Sequence, residues 1–119
     1  MPHLIIDYSA NLENLLDMGG LCAALRDAAA ATGVFPPAGI RVRAYAADHV
    51  VIADGDPGHA FVDITVRLAA GRDHAAKTRA TDAVFEAARS YTADLTARAP
   101  FMLSLELREM DATYSRKAS

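Results

Sequence analysis

Apolar and polar positions switch between two rhythms along this chain, and the switches mark out its elements. His3 to Ser9 (HLIIDYS) is rich in Leu, Ile and Tyr and predicts a strand buried on both faces. Asn11 is placed to cap a following helical segment, because its side chain accepts from free backbone N–H groups. Leu12, Leu15 and Leu16 share one face there, and Gly19-Gly20 is expected to loosen the segment. From Leu21 to Thr32 the spacing is helical, with Leu21, Leu25 and Ala28 on one stripe. Gly33 stops this helix, and Pro36-Pro37 prevents it from resuming.

Ile40 to Ala47 (IRVRAYAA) alternates, as a half-buried strand does, and Val50 to Ala53 is a short further apolar run. Asp54-Gly55-Asp56-Pro57-Gly58 is the strongest turn signal in the chain. Ala60 to Ala69 predicts a strand with Phe61, Asp63, Thr65 and Arg67 on one face and Val62, Ile64, Val66 and Leu68 on the other. Gly71-Arg72-Asp73 turns the chain, and Asp73 caps a long helix from about His74 to Arg98. That helix carries a stripe of Ala76, Ala80, Ala83/Val84, Ala87, Tyr91 and Leu95. Pro100 ends it, Phe101 to Met110 is a last strand, and the polar tail 112–119 reads as loose or clasped by a neighbouring subunit.

The element order is strand–helix–strand, twice. It predicts an α+β fold of α/β-type β-α-β repeats, one domain over residues 1–119, with half-repeats of about 1–57 and 58–111. The helices are expected on one face of a mixed four-stranded sheet. A length of 119 residues suits one ordinary domain. Hydrophobic residues make up 52% and charged residues 23%, more apolar surface than so short a chain hides alone, so an oligomer is expected. Much of that apolar share is alanine, which also serves on exposed helix faces.

A net charge of −3 argues against a nucleic-acid partner. The single cysteine, Cys22, excludes an internal disulfide framework and a cysteine-built zinc site. No apolar run reaches the roughly 18 residues of a membrane span, and no basic leader precedes an apolar stretch. A cytoplasmic protein with no membrane partner is the expectation.

Most candidate chemistry has a plainer reading. Ser9 lacks a nucleophile elbow and reads as a solvated or capping residue. Asp54, Asp56, His59 and Asp63 start like a calcium loop but lack its closing Glu and sit on a Pro-Gly turn, so no metal is assigned. Cys22 sits among Leu21 and Leu25 as a packed thiol. His3, His49, His59 and His74 show no paired ligand spacing, and Arg26, Arg79, Arg89 and Arg98 look like solvated helix-face charge.

Pro2, Arg41 and Arg72 remain. If Met1 is removed, Pro2 presents a secondary amine, the only such base that the standard residues provide. A terminal amine ordinarily titrates near 8, and burial or neighbouring guanidinium groups both disfavour its protonated form. A base poised near neutrality both takes and returns a proton, and the adjoining Leu4-Ile5-Ile6 would hold it rigidly. A retained Met1 would turn that amine into an amide and leave the chain inactive.

The segments MPHLIIDYSANLE, ATGVFPPAGIRVRAY and AFVDITVRLAAGRD, in that order, resemble the 5-carboxymethyl-2-hydroxymuconate isomerases of the tautomerase superfamily. The resemblance runs from Met1 to about Met110, and the stretches Ala44 to Asp56 and the tail depart from it most. It implies a duplicated β-α-β fold assembled as a homotrimer, without metal or organic cofactor. It also implies an anionic dicarboxylate or tricarboxylate substrate. On the matching motifs, Pro2 takes the place of the catalytic base, and Arg41 and Arg72 those of the substrate-binding arginines. The implied reaction converts 5-carboxymethyl-2-hydroxymuconate to 5-oxopent-3-ene-1,2,5-tricarboxylate in homoprotocatechuate degradation.

At the half-repeat offset of about 60 residues, Pro2 aligns with Val62, Arg72 with Leu12, and Arg41 near Phe101. Each half alone is therefore incomplete. A site drawing on both, across subunits, gives a trimer three working sites rather than six. Taken singly, Arg41 would be a strand-edge charge and Arg72 a surface residue at a helix start. A relative acting on another enol or unsaturated acid, and a non-enzymatic oligomeric metabolite-binding module, are the alternative readings.

Overall fold

The computed structural model describes residues 1–98 and 100–119. Four strands, β1 (His3–Ser9), β2 (Arg41–Ala47), β3 (Ala60–Ala69) and β4 (Phe101–Met110), form one sheet in the order β2-β1-β3-β4. β1 runs parallel to β2 and antiparallel to β3, and β3 runs parallel to β4, so the sheet is mixed. Each parallel pair is bridged by a helical crossover, α1 (Met18–Ala31) in the first and α2 (His74–Tyr91) with the short α3 (Ala93–Arg98) in the second. The β-α-β layout expected from the element order is the one observed.

All three helices cover the same face of the sheet. Leu4, Ile6 and Tyr8 of β1 and Val62, Ile64, Val66 and Leu68 of β3 point into this core and are buried. They meet Leu21, Leu25 and Ala29 of α1, Ala80, Val84 and Ala88 of α2, and Leu95 of α3. Small residues at Ala29, Ala80 and Ala88 let the helices approach the strands closely. The alternation of β3 is strict, so its other face is polar and half-buried: Phe61, Asp63, Thr65 and Arg67.

That open face has an electrostatic order. At one end Arg41, His3, Arg67 and Arg108 stand in register across all four strands. Two pleats further along each neighbouring strand, Asp7 pairs with Asp63, and Asp63 accepts from the Ser104 hydroxyl at 2.6 Å.

Several expectations from the sequence are corrected. β1 is buried on one face only, with His3 and Ile5 half-buried and Asp7 exposed. Asn11 does not cap a helix; its amide donates to the carbonyls of Pro57 (3.3 Å) and His59 (2.8 Å), tying this loop to the start of β3. The cap of α1 is Asp17, whose carboxylate accepts from the Gly20 N–H at 3.1 Å, so Gly19-Gly20 lies inside the helix's first turn. A Cβ on Gly20 would sit 2.2 Å from the Tyr91 hydroxyl, which itself donates to the Asp17 carbonyl at 2.9 Å. Helix packing, not helix breaking, explains that glycine.

The single long helix is two. Thr92 is buried, its hydroxyl donates to the Ala88 carbonyl at 2.9 Å, and its backbone (φ −100°, ψ 12°) leaves the helical region. The apolar stripe continues across the break to Leu95, so periodicity could not reveal it. Ala29 and Ala88 take the fully buried positions expected of Ala28 and Ala87. Val50 to Ala53 forms no strand: Val51 is 91% exposed, and Ala53 has a left-handed φ of 51° at the following turn.

Candidate active site

The strand directions bring the starts of β1 and β2 and the ends of β3 and β4 to one end of the sheet. Pro2, Arg41 and Arg72 all belong to this end, on the same chain. Pro2 is fully buried. Its carbonyl accepts from the Arg41 N–H at 3.0 Å, and the turn Pro37–Gly39 lies beside its ring, where a Cβ on Gly39 would make ordinary van der Waals contact with the Pro2 Cδ at 3.6 Å. The A-G-I-R segment therefore braces the N-terminus at the same point where it delivers Arg41. The Arg41 side chain is exposed and donates to the Gly39 carbonyl at 2.9 Å.

Arg72 reaches this end from the turn after β3. Its Nε and one Nη donate to the Val34 and Ala69 carbonyls, each at 3.3 Å, and its cation lies 5.1 Å from the centre of the buried Phe35 ring. The guanidinium is thus held by both halves of the chain, yet keeps donors free.

The terminal nitrogen here is that of Met1, one residue outward from Pro2. Its ammonium is held below the ordinary terminal-amine value, first by partial burial and then by the nearby cations of Lys117, Arg72 and Arg41. Both causes disfavour a positive charge on the Met1 amine.

Sequence reasoning passed over other groups at the same end. His3 is read there as an unremarkable histidine; its Nδ1 accepts from the Arg43 guanidinium at 2.9 Å, which fixes the proton on Nε2. Burial first, and then Arg67, Arg43 and Arg41, push its ionisation down, so the ring is neutral. Arg67, assigned only to the polar face of a strand, lines a cavity of about 460 Å³ with Met1, His3, Met110, Tyr114 and Lys117. Tyr114 to Lys117 of the tail line this cavity together with Met1, with their side chains largely exposed. The available signal was the register of Arg67 beside His3, which only strand pairing reveals.

A second, larger cavity of about 580 Å³ lies at the opposite end of the sheet, lined by Asn11, Asp48, His49, Val51, Asp56 and His59, among others. Asp54, beside it, and Asp56, on its lining, close turns. Asp54 accepts from the Asp56 N–H at 3.0 Å and lies 2.7 Å from the His59 ring, and Asp56 accepts from the Gly58 N–H at 2.8 Å. The stretch from Ala47 to Asp56 therefore borders this cavity rather than the N-terminal one. Ser9 is buried rather than solvated, its hydroxyl accepting from the Phe61 N–H at 3.0 Å. Cys22 packs against the core, and burial pushes its thiol up, away from the reactive thiolate.

A mixed sheet of two β-α-β units with helices on one face, carrying a proline beside its N-terminus and arginines around it, defines the tautomerase class. The model of the 5-carboxymethyl-2-hydroxymuconate isomerase family matches residues 2–119. The chain is 36% identical over 117 residues to the 5-carboxymethyl-2-hydroxymuconate Delta-isomerase of Escherichia coli, covering 98% of this chain and 93% of that one. A crystal structure of a 5-carboxymethyl-2-hydroxymuconate delta-isomerase superimposes with a TM-score of 0.92 at 35% identity, covering 100% of this chain and 89% of that one. The isomerase from Deinococcus radiodurans R1 gives 0.92 at 32% identity, covering 98% and 88%. This chain belongs to the 5-carboxymethyl-2-hydroxymuconate isomerase family.

Proposed function

We propose that the protein isomerises 5-carboxymethyl-2-hydroxymuconate to 5-oxopent-3-ene-1,2,5-tricarboxylate, with Pro2, freed of Met1, as the acid and base. One observation supports this reading: a buried proline, Arg41 and Arg72 lie at the same end of the sheet. The Pro2 nitrogen removes the 2-hydroxyl proton of the dienol. The electron pair moves through the conjugated system to the far carbon, which bears the carboxymethyl arm. The protonated Pro2 returns the proton there, leaving a 2-oxo group and one relocated double bond. No atom is gained or lost, and no cofactor enters the proposal.

Arg41 and Arg72 hold substrate carboxylates and stabilise the oxyanion that develops at C2, a task for which the planar guanidinium fork suits a carboxylate in bidentate fashion. Their local field explains how a chain of net charge −3 takes an anionic substrate. The reading includes a single domain over residues 1–119, half-repeats of about 1–57 and 58–111, and a tail 112–119 that serves the site. It also includes a homotrimer packed through the open sheet face, where Tyr45 and Met102 are 57% and 67% exposed, and a cytoplasmic role in homoprotocatechuate degradation. Among the described residues no helix is long and apolar enough to cross a membrane.

The test is turnover of the dienol, followed by its ultraviolet absorbance, on protein whose N-terminus has been fixed by mass spectrometry. Chains beginning at Pro2 are expected to be active and chains retaining Met1 inactive. Equal activity in both would refute the role of Pro2.

A further inference from the structure

The cavity beside the N-terminus holds cations that the roles of Arg41 and Arg72 leave unused. It lies between the ends of β1, β3 and β4 and the tail, and among the described residues no carboxylate lines it. The Arg67 Nε is buried and has no hydrogen-bond partner among the described residues. Neither Arg67 nor Lys117 joins an ion pair among the described residues. Across the strands, His3 facing Arg67 has its Nδ1 occupied by Arg43, and Arg108, on the far side, is paired with Glu106. A buried guanidinium N–H without a partner is costly to the protein alone, and an incoming anion removes that cost. Met1 and Lys117 both line the cavity, so it adjoins the N-terminal end of the chain where Pro2 is buried.

We propose that Arg67, assisted by Lys117 of the tail, is the subsite for the carboxylate on the carboxymethyl arm, and so selects a branched tricarboxylate over unbranched dienols. This rests on the reaction proposed above. Its substrate carries three carboxylates, and two arginines engaged in bidentate pairs account for two of them. The third belongs to the branch at the carbon that receives the proton. A donor placed at the other side of the terminal nitrogen from the sheet-edge arginine orients that carbon for protonation.

The experiment compares wild type with Arg67→Met, Arg67→Lys and Lys117→Ala on 5-carboxymethyl-2-hydroxymuconate and on 2-hydroxymuconate, which lacks the arm. Arg67→Met is expected to raise KM for the branched dienol about 30-fold, or about 2 kcal/mol at 1.4 kcal/mol per tenfold. Its effect on the unbranched dienol should be at least ten times smaller. Arg67→Lys restores only part of the loss, since the charge returns without the buried Nε, and Lys117→Ala gives a smaller loss in the same direction. Equal losses on the two dienols would overturn the assignment. Calorimetry with propane-1,2,3-tricarboxylate and with glutarate reads the subsite apart from turnover. If wild type converts neither dienol, the proposed reaction falls, while a preference for the tricarboxylate that vanishes in Arg67→Met upholds the subsite. Equal tricarboxylate binding by wild type and Arg67→Met overturns it.

Discussion

Replacing Arg72 by methionine separates holding a substrate from holding the fold. The side chain spends two of the five guanidinium N–H groups on the Val34 and Ala69 carbonyls and rests its cation over Phe35. Both hydrogen bonds are long, so each contributes roughly 0.5 kcal/mol to stability, and the cation–ring contact adds about 0.5–1 kcal/mol. Methionine keeps part of the contact with the ring. Loss of about 1 kcal/mol is therefore expected in urea unfolding, small enough to leave the protein folded. Three of its donors remain unspent on these two carbonyls. Removing a charged hydrogen bond to a carboxylate costs about 1.5–3 kcal/mol, roughly a 10- to 150-fold fall in kcat/KM.

The same change alters the pH profile, and its sign follows from the charge. Arg72 disfavours a protonated amine at this terminus, so its removal raises the pKa of the base. The acid limb of kcat/KM, where activity rises as the base loses its proton, moves to higher pH in Arg72→Met. Arg72→Lys, which keeps the charge and loses the fork, should recover most of the limb's position but little of the rate. The measurement is kcat/KM for the dienol from pH 5 to 9 in all three proteins. Arg72→Met within threefold of wild type, with the limb unmoved, would refute the reasoning.

Other expectations follow from particular contacts. Pro2→Ala leaves a primary amine in the same place and should lower kcat about 10- to 100-fold, less than the roughly 10²–10⁴-fold that a positioned base contributes in full; steady-state kinetics on N-terminally verified protein checks it. Gly20→Ala drives a Cβ into the Tyr91 hydroxyl and should cost roughly 1–3 kcal/mol, the usual toll of overpacking. Adding Tyr91→Phe should return part of it, and additive losses in a double-mutant cycle would contradict the clash. The Tyr8 phenol is pushed up to about 12, chiefly by donating to the Glu13 carboxylate and then by burial. Because its folded pKa exceeds the unfolded value near 10, this contribution to stability is complete below pH 10 and is lost as pH rises toward 12. Glu13→Gln should bring the phenolate transition down, read from absorbance near 295 nm.

How far the sequence disclosed the protein depended on whether a feature lay in local rhythm. The alternation of Val62 to Leu68 against Phe61 to Arg67 disclosed β3 and its buried face, because a strand's period is two and one side meets helices. Asp73 disclosed the start of α2, its carboxylate accepting from the Ala76 N–H at 2.8 Å. The break at Thr92 was hidden, since the residues around it keep helical spacing. Asn11 and Asp17 were exchanged as caps because both residue types suit that role, and only the carbonyls of Pro57 and His59, far along the chain, claim Asn11. Pro2, Arg41 and Arg72 stand out through motifs, and the fold places all three at one end of the sheet. Arg67 and Lys117 do not, because a strand's polar face and a charged tail look solvated until pairing and folding bring them beside Met1.

The central claim concerns the protonation of one nitrogen. Protein beginning at Pro2, labelled with ¹⁵N-proline, allows that nitrogen's resonance to be followed against pH beside the acid limb of kcat/KM. The account predicts a single transition below the ordinary terminal-amine value near 8, coincident with the limb, and shifted upward in Arg72→Met. A Pro2 nitrogen that titrates above that value while the limb stays below it would contradict the account.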